Sequence, residues 1–166
     1  MVKQQDICEY VIKAIVENGY EDRLMRGGLT ALEYFIPFNE DGSLFYNNDA
    51  VAVVIDSMGR LFEEEATQIT TLRVLKHTLL VPEASDIFNQ NDGIKLATQI
   101  AASFYASEAL QKEMMEVFVL LADSEELQSV LFENQALNYI VHNLTNFGDK
   151  PEVLLPADTA IAKLCP

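Results

Sequence analysis

Sliding the 166-residue chain along itself by 43 positions sets Leu72-Arg73-Val74-Leu75 over Met115-Glu116-Val117-Phe118 and Ile87-Phe88 over Val130-Leu131. The same shift sets Asn91 over Asn134 and Gly93-Ile94 over Ala136-Leu137, without a gap. A period of this length limits the architecture more than any other feature, because a unit of 20 to about 50 residues cannot bury its apolar face alone and must stack on a copy of itself. The unit reads as a long helix, a short helix, a small residue at a sharp turn, and a medium helix. The small residue is required where two backbones approach at the corner.

Helical spacing runs through the rest. Ile7, Tyr10, Val11, Ala14 and Ile15 form one stripe of a helix that Gly19 closes. A short helix is expected over Glu21 to Arg26, a turn at Gly27-Gly28, and a further helix carrying Leu29, Leu32, Phe35 and Ile36 that Pro37 ends. Phe38 to Asn48 reads as an exposed loop with a brief extended stretch at Leu44 to Tyr46. Asp49 reads as the N-cap of a helix reaching Glu63. Helices follow over Glu65 to Leu80, Ala84 to Gln90, Asp92 to Tyr105, Ser107 to Ala122, Glu125 to Phe132 and Gln135 to Asn146. The remainder, with Pro151, Pro156 and Pro166, reads as an irregular tail over 148–166 with one short helix at Ala157 to Leu164. No period-two alternation extends over a strand's length, so the chain is expected to be all-α.

The corners Arg26-Gly27-Gly28-Leu29, Asn91-Asp92-Gly93-Ile94 and Asn134-Gln135-Ala136-Leu137 resemble the junction of first and second helices in armadillo repeats. Gln4 to Asn18, Ala66 to Leu80 and Glu108 to Ala122 resemble that family's third helix. The resemblance covers Val2 to Asn146 and implies a single domain over 1–147. Its fold would be a right-handed superhelix of about three irregular repeats. The 65 residues between Gly28 and Gly93 imply one additional helix in that span. HEAT repeats, with two helices per unit, are the nearest alternative. Peptide-binding members of the family carry an Asn and a Trp on the third helix; this chain has no Trp, and the Asn position falls on His77 and Leu120.

Charge narrows the partners. With 26 acidic against 11 basic side chains the net charge is −15, which repels phosphate and argues against nucleic acid and anionic membranes. At 49% hydrophobic the chain is too apolar to stay unfolded. Cys8 and Cys165 form neither a disulfide framework nor a metal spacing. No secretory signal or membrane span is legible, which points to the cytoplasm or nucleus. Asn143-Leu144-Thr145 matches a glycosylation tripeptide that carries little weight without a signal peptide.

Catalytic and ligand motifs are absent from the reading. His77 and His142 lack a neighbouring nucleophile or carboxylate in a usable spacing. In a calcium-loop register the region of Asn39 to Gly42 would put Pro37 and Asn48 where carboxylates are needed. Gly27-Gly28 lacks the following Lys of a phosphate loop. Glu63-Glu64-Glu65 reads as a solvated corner. Phe35, Phe38, Phe45 and Tyr46 bracket a polar loop, which is expected to fold over one end of the molecule. The sequence therefore implies no enzyme, cofactor or metal. The expected function is an adaptor whose concave groove takes a protein or peptide partner of basic character; the alternative is a self-associating scaffold, with a homodimer as its form, or an end-capping fragment of a longer solenoid. The residues assigned to that groove are Glu9, Lys13, Arg73, Lys76, His77, Glu113, Glu116 and Leu120.

Overall fold

A computed structural model describes residues 4–35 and 48–165. Those residues form ten α-helices and no strand: α1 (Gln4–Glu17), α2 (Asp22–Phe35), α3 (Asn48–Arg60), α4 (Glu65–Thr78), α5 (Pro82–Gln90), α6 (Gly93–Ser103), α7 (Glu108–Leu121), α8 (Glu125–Glu133), α9 (Ala136–Asn146) and α10 (Pro151–Leu164). The all-α expectation holds. Pro37, the loop from Phe38 to residue 47 and its aromatic group Phe38, Phe45 and Tyr46 lie outside the described residues.

Among the described residues the helix boundaries carry the period from α1 to α10. Four 14-residue helices, α2, α4, α7 and α10, begin at Asp22, Glu65, Glu108 and Pro151, each 43 residues after the last. Four medium helices, α1, α3, α6 and α9, end at Glu17, Arg60, Ser103 and Asn146 with the same spacing. The short helices α5 and α8 both have nine residues and keep it too. Small buried residues recur at the start of three medium helices, as Ala50, Gly93 and Ala136. Asp92 and Gln135, just before two of them, take left-handed backbone at φ 59° and 62°.

Three expectations are corrected. Gly27 and Gly28 do not turn the chain but sit within α2, because the apolar spacing Met25, Gly28, Leu29, Leu32 continues through them and is buried. Gly28 is needed for close approach: a Cβ there would lie 2.6 Å from Ile15 Cδ1 on α1. The supposed additional helix between Gly28 and Gly93 disappears with that correction. Measured from α2 the spacing is regular, and Gln4–Glu17 occupies a medium-helix position rather than a third-helix one. Finally, the tail is a full helix. Pro151 stands at the first position, where its missing N–H costs nothing. Pro156 removes one interior hydrogen bond, and Val153, Ala157, Ala160 and Leu164, buried in a helix packed on α7 and α9, offset the loss.

The chain divides into two compact units, the first ending at Asn91 and the second beginning at Asp92. In the first, α1 packs on α2 and α3, and α4 on α2 and α3, with α5 against α3. Its core holds Ile12, Ile15, Leu29, Leu32, Met58, Leu72, Leu75 and Phe88, each contributing about 1.5–3 kcal/mol by leaving water. In the second, α7 packs on α6, α8, α9 and α10, and α9 on α6, α8 and α10. Ile94, Ile100, Met114, Phe118, Leu131, Ile140 and Val153 fill its core.

Candidate functional site

The long helices carry the residues assigned to a groove, apart from Glu9 and Lys13. These two lie exposed on α1, a medium helix, where Lys13 pairs with Glu17 at 3.6 Å. In the first unit, Arg73, Lys76 and His77 sit half-buried on α4. Arg73 Nη1 donates to Glu33 Oε1 on α2 at 2.7 Å, so the guanidinium ties adjacent long helices together. Burial, with the neighbouring Lys76 charge, pushes the His77 imidazole below its ordinary pKa and favours its neutral form near pH 7. In the second unit, Glu116 and Leu120 are half-buried on α7, and Glu113 is 3% exposed, inside the packing.

Register explains what the sequence reading missed. His77 and Leu120 occupy one position of the long-helix unit, which is filled by Tyr34 in α2 and Lys163 in α10. Tyr34 is 67% exposed. Lys163 Nζ donates to the Val119 carbonyl at 3.1 Å and pairs with Asp123, joining α10 to α7 much as Arg73 joins α4 to α2. Neither residue shows its place in the sequence alone, because the local signals of Gly27-Gly28 and Pro156 interrupt α2 and α10.

A second recurrent feature is internal. Gln68, buried in the first turn of α4, donates Nε2 hydrogen bonds to the Met58 and Leu61 carbonyls at 3.3 and 2.8 Å. Gln111, one period later, donates to the Ala101 and Phe104 carbonyls at 2.8 and 3.0 Å. Each therefore gives the end of the preceding medium helix a side-chain donor, and the Leu61 and Phe104 carbonyls, which also accept from the Glu64 and Ser107 amides, are doubly engaged. Gln111 Oε1 also accepts from Asn143 Nδ2 on α9 at 2.8 Å. Asn143 is thus enclosed in the core. The identity of Gln68 and Gln111 under the 43-residue shift was the legible signal.

Corners are capped by side chains as well. Ser107 and Ser124 accept from the Leu110 and Leu127 amides at 3.2 and 3.5 Å. Asn91 and Asn134 donate back to the Ile87 and Val130 carbonyls. Glu64 is more than part of a solvated corner: Arg26 donates to both its carboxylate oxygens, and Thr67 donates as well. Those hydrogen bonds hold its pKa at about 2. Cys8 is buried, which raises its thiol pKa, while Cys165 is exposed. Among the described residues no group of three His, Cys, Asp or Glu side chains is placed to hold a metal, and no helix is long and apolar enough to cross a membrane.

No family model and no curated protein matches the chain. A crystal structure of an engineered protein from the Northeast Structural Genomics Consortium is similar to it, with a TM-score of 0.76 at 16% identity over 95% of this chain. The chain spans 62% of that protein's length. At this identity the likeness concerns the helical fold alone.

Proposed function

We propose that the chain is a non-enzymatic interaction module of armadillo-like architecture, a right-handed superhelix that takes a segment of a partner protein along the face formed by its long helices. The observation that carries this reading is the constant 43-residue spacing of short, medium and long helices, within the range of armadillo and HEAT arrays. The short helices α5 and α8, which add a third element to two of the described periods, favour the armadillo form over the two-helix one. In such an array each long helix offers the same position to a ligand, here Tyr34, His77, Leu120 and Lys163. The net charge of −15 favours a basic partner through faster encounter and suits a protein of the cytoplasm or nucleus.

The test uses Tyr34→Ser and Lys76→Glu, two changes on the long helices of the first unit. Tagged wild type and the double variant are used for capture from cell extract, and bound proteins are quantified by mass spectrometry. A partner retained by the wild type and lost by a variant with unchanged circular dichroism supports the reading. Identical partner sets for both chains would remove the long-helix face from consideration.

A further inference from the structure

A cleft of about 550 Å³ opens in the first unit between the corner that follows α1, the face of α3 and the end of α5. Val51, Ala52, Ile55 and Ile87 give it apolar walls, and Tyr20, Asp56, Gln90 and Asn91 complete it. None of these is on a long helix. Among the described lining residues Asp56 supplies the only formal charge. Its Oδ2 is buried and accepts no hydrogen bond; Arg60 Nε approaches it at 3.7 Å, beyond hydrogen-bonding reach. The Asp56 side chain is nonetheless 35% exposed and lines the cleft, so beside its ion pair with Arg60 it keeps acceptor capacity to which an entering cationic donor adds a charge-assisted hydrogen bond. Burial and the Asp22 charge raise the Asp56 pKa against the opposing effect of Arg60. Asn91 has already committed Nδ2 to the Ile87 carbonyl at 2.8 Å, which leaves its amide oxygen as an acceptor.

The lining thus selects by elimination. An anion meets the field of Asp56, Asp22 and Asp49, whose negative charges are felt at Asp56 and Tyr20. A purely apolar ligand takes the exposed part of the Asp56 carboxylate out of water without offering it a donor. A long alkyl stem with a cationic head satisfies both halves, stem on Ile55 and Ile87, head on Asp56. A planar guanidinium fits better than an ammonium, because its several fixed donors reach a carboxylate and side-chain amide oxygens together. We propose that this cleft holds an arginine side chain carried on a basic segment of a partner protein. It rests on the interaction-module reading only in taking the partner to be a protein, and it adds a contact away from the long-helix face.

The experiment is a titration of the full ¹⁵N-labelled chain with capped Gly-Arg-Gly peptide, alongside Gly-citrulline-Gly, Gly-Glu-Gly and spermidine, followed by amide chemical shifts. The arginine peptide is expected to move Tyr20, Ile55, Asp56, Ile87 and Asn91 saturably. Asp56→Asn should weaken it about tenfold, the loss of one charge-assisted pairing. Gln90→Lys, at an exposed position that leaves folding untouched, should abolish it by placing a cation in the cleft. Absence of saturable shifts, or equal binding of the citrulline peptide, would overturn the proposal. Tighter binding of spermidine would assign the cleft to a free polyamine and overturn it too. Shifts confined to Arg73, Lys76 and His77 would overturn the cleft while leaving the long-helix reading intact.

Discussion

The buried centre of the first long helix is Gly28 in the first unit, and at the corresponding position of the second unit, two periods later, it is Met114. The other two long helices place Thr71 and Ala157 there, and all four residues are buried. Backbone period is conserved along the chain while side-chain volume at one position changes from none to that of Met. Gly28 is matched to Ile15, whose side chain fills the space a Cβ would occupy. Thr71 is matched to Ser57, whose hydroxyl lies 2.9 Å from its own. The repeat is therefore a rule about helix lengths and corners. Its core is assembled pair by pair.

Helix ends show the same contrast. In the first unit the carbonyls at the end of α1 are met by backbone: Gly19 and Tyr20 take φ 65° and 58°, and the Tyr20 amide donates to the Ile15 carbonyl at 3.0 Å. In the second unit Gln111 does this work for α6, and Met25 stands at its corresponding position in α2. A left-handed turn and a buried amide are alternative ways of supplying donors to helix-end carbonyls.

The largest expected effect comes from exchanging the two centres. Met114→Gly should destabilise the second unit by about 4–5 kcal/mol, a cavity plus the backbone cost of glycine, read by chemical denaturation. Gly28→Met should cost about 3 kcal/mol by overpacking against Ile15. A tolerance of both exchanges within 1 kcal/mol would show that the centres are not matched to their partners. Next in size is the glutamine pair. Gln111→Leu should cost about 3 kcal/mol and Gln68→Leu about 2 kcal/mol, because only the former also abandons Asn143. Hydrogen exchange at the ends of α3 and α6 reports each separately, and an equal or reversed order would dismiss the role of Asn143.

A smaller difference is electrostatic. Glu64 has a folded pKa of about 2 against its ordinary 4.5, so it stabilises the first unit above the ordinary value. That contribution is lost as pH falls from about 4.5 toward 2. Arg26→Ala should flatten the first unit's loss of amide protection over that window, leaving the second unit's acid response as it was. An unchanged acid profile in the variant would rule out the Arg26 pair as its source. Smallest is the Ser57 and Thr71 pair. Ser57→Ala with Thr71→Val replaces both hydroxyls by apolar groups of similar shape and should change stability by less than about 1 kcal/mol. A thermal melt shifted well beyond that would show that the second hydroxyl bond, from Thr71 to the Thr67 carbonyl, carries more than its expected share.

Much of the helix order was legible because its signals are local. Pro82, Gly93, Ser107 and Ser124 mark starts within a few residues of where they act, and apolar spacing shows the faces between them. The 43-residue shift was legible in the second half, where Gly93 and Ala136 or Phe88 and Leu131 hold like positions. The first repeat was not, since Gly27-Gly28 carries a strong local turn signal that burial of Met25, Leu29 and Leu32 overrides. Pro156 likewise reads as a breaker until the faces of α7 and α9 are available to α10. For the candidate site, Arg73 and Lys76 were legible as cations beside His77 on one long helix. Tyr34, Glu33 and Lys163 were not, because their place follows from a register that those two misread helices concealed.

The sequence by itself determined the helical class, the period and the capped corners, all of which arise from interactions within about one helical turn or from repetition along the chain. Tertiary structure alone decided which helix fills which position of the period, why Gly28 can be a glycine, and where Gln68 and Gln111 spend their amides. Space taken by Ile15 and carbonyls with spare acceptor capacity at the ends of α3 and α6 are properties of neighbours distant in sequence. A residue's local propensity carries no record of them.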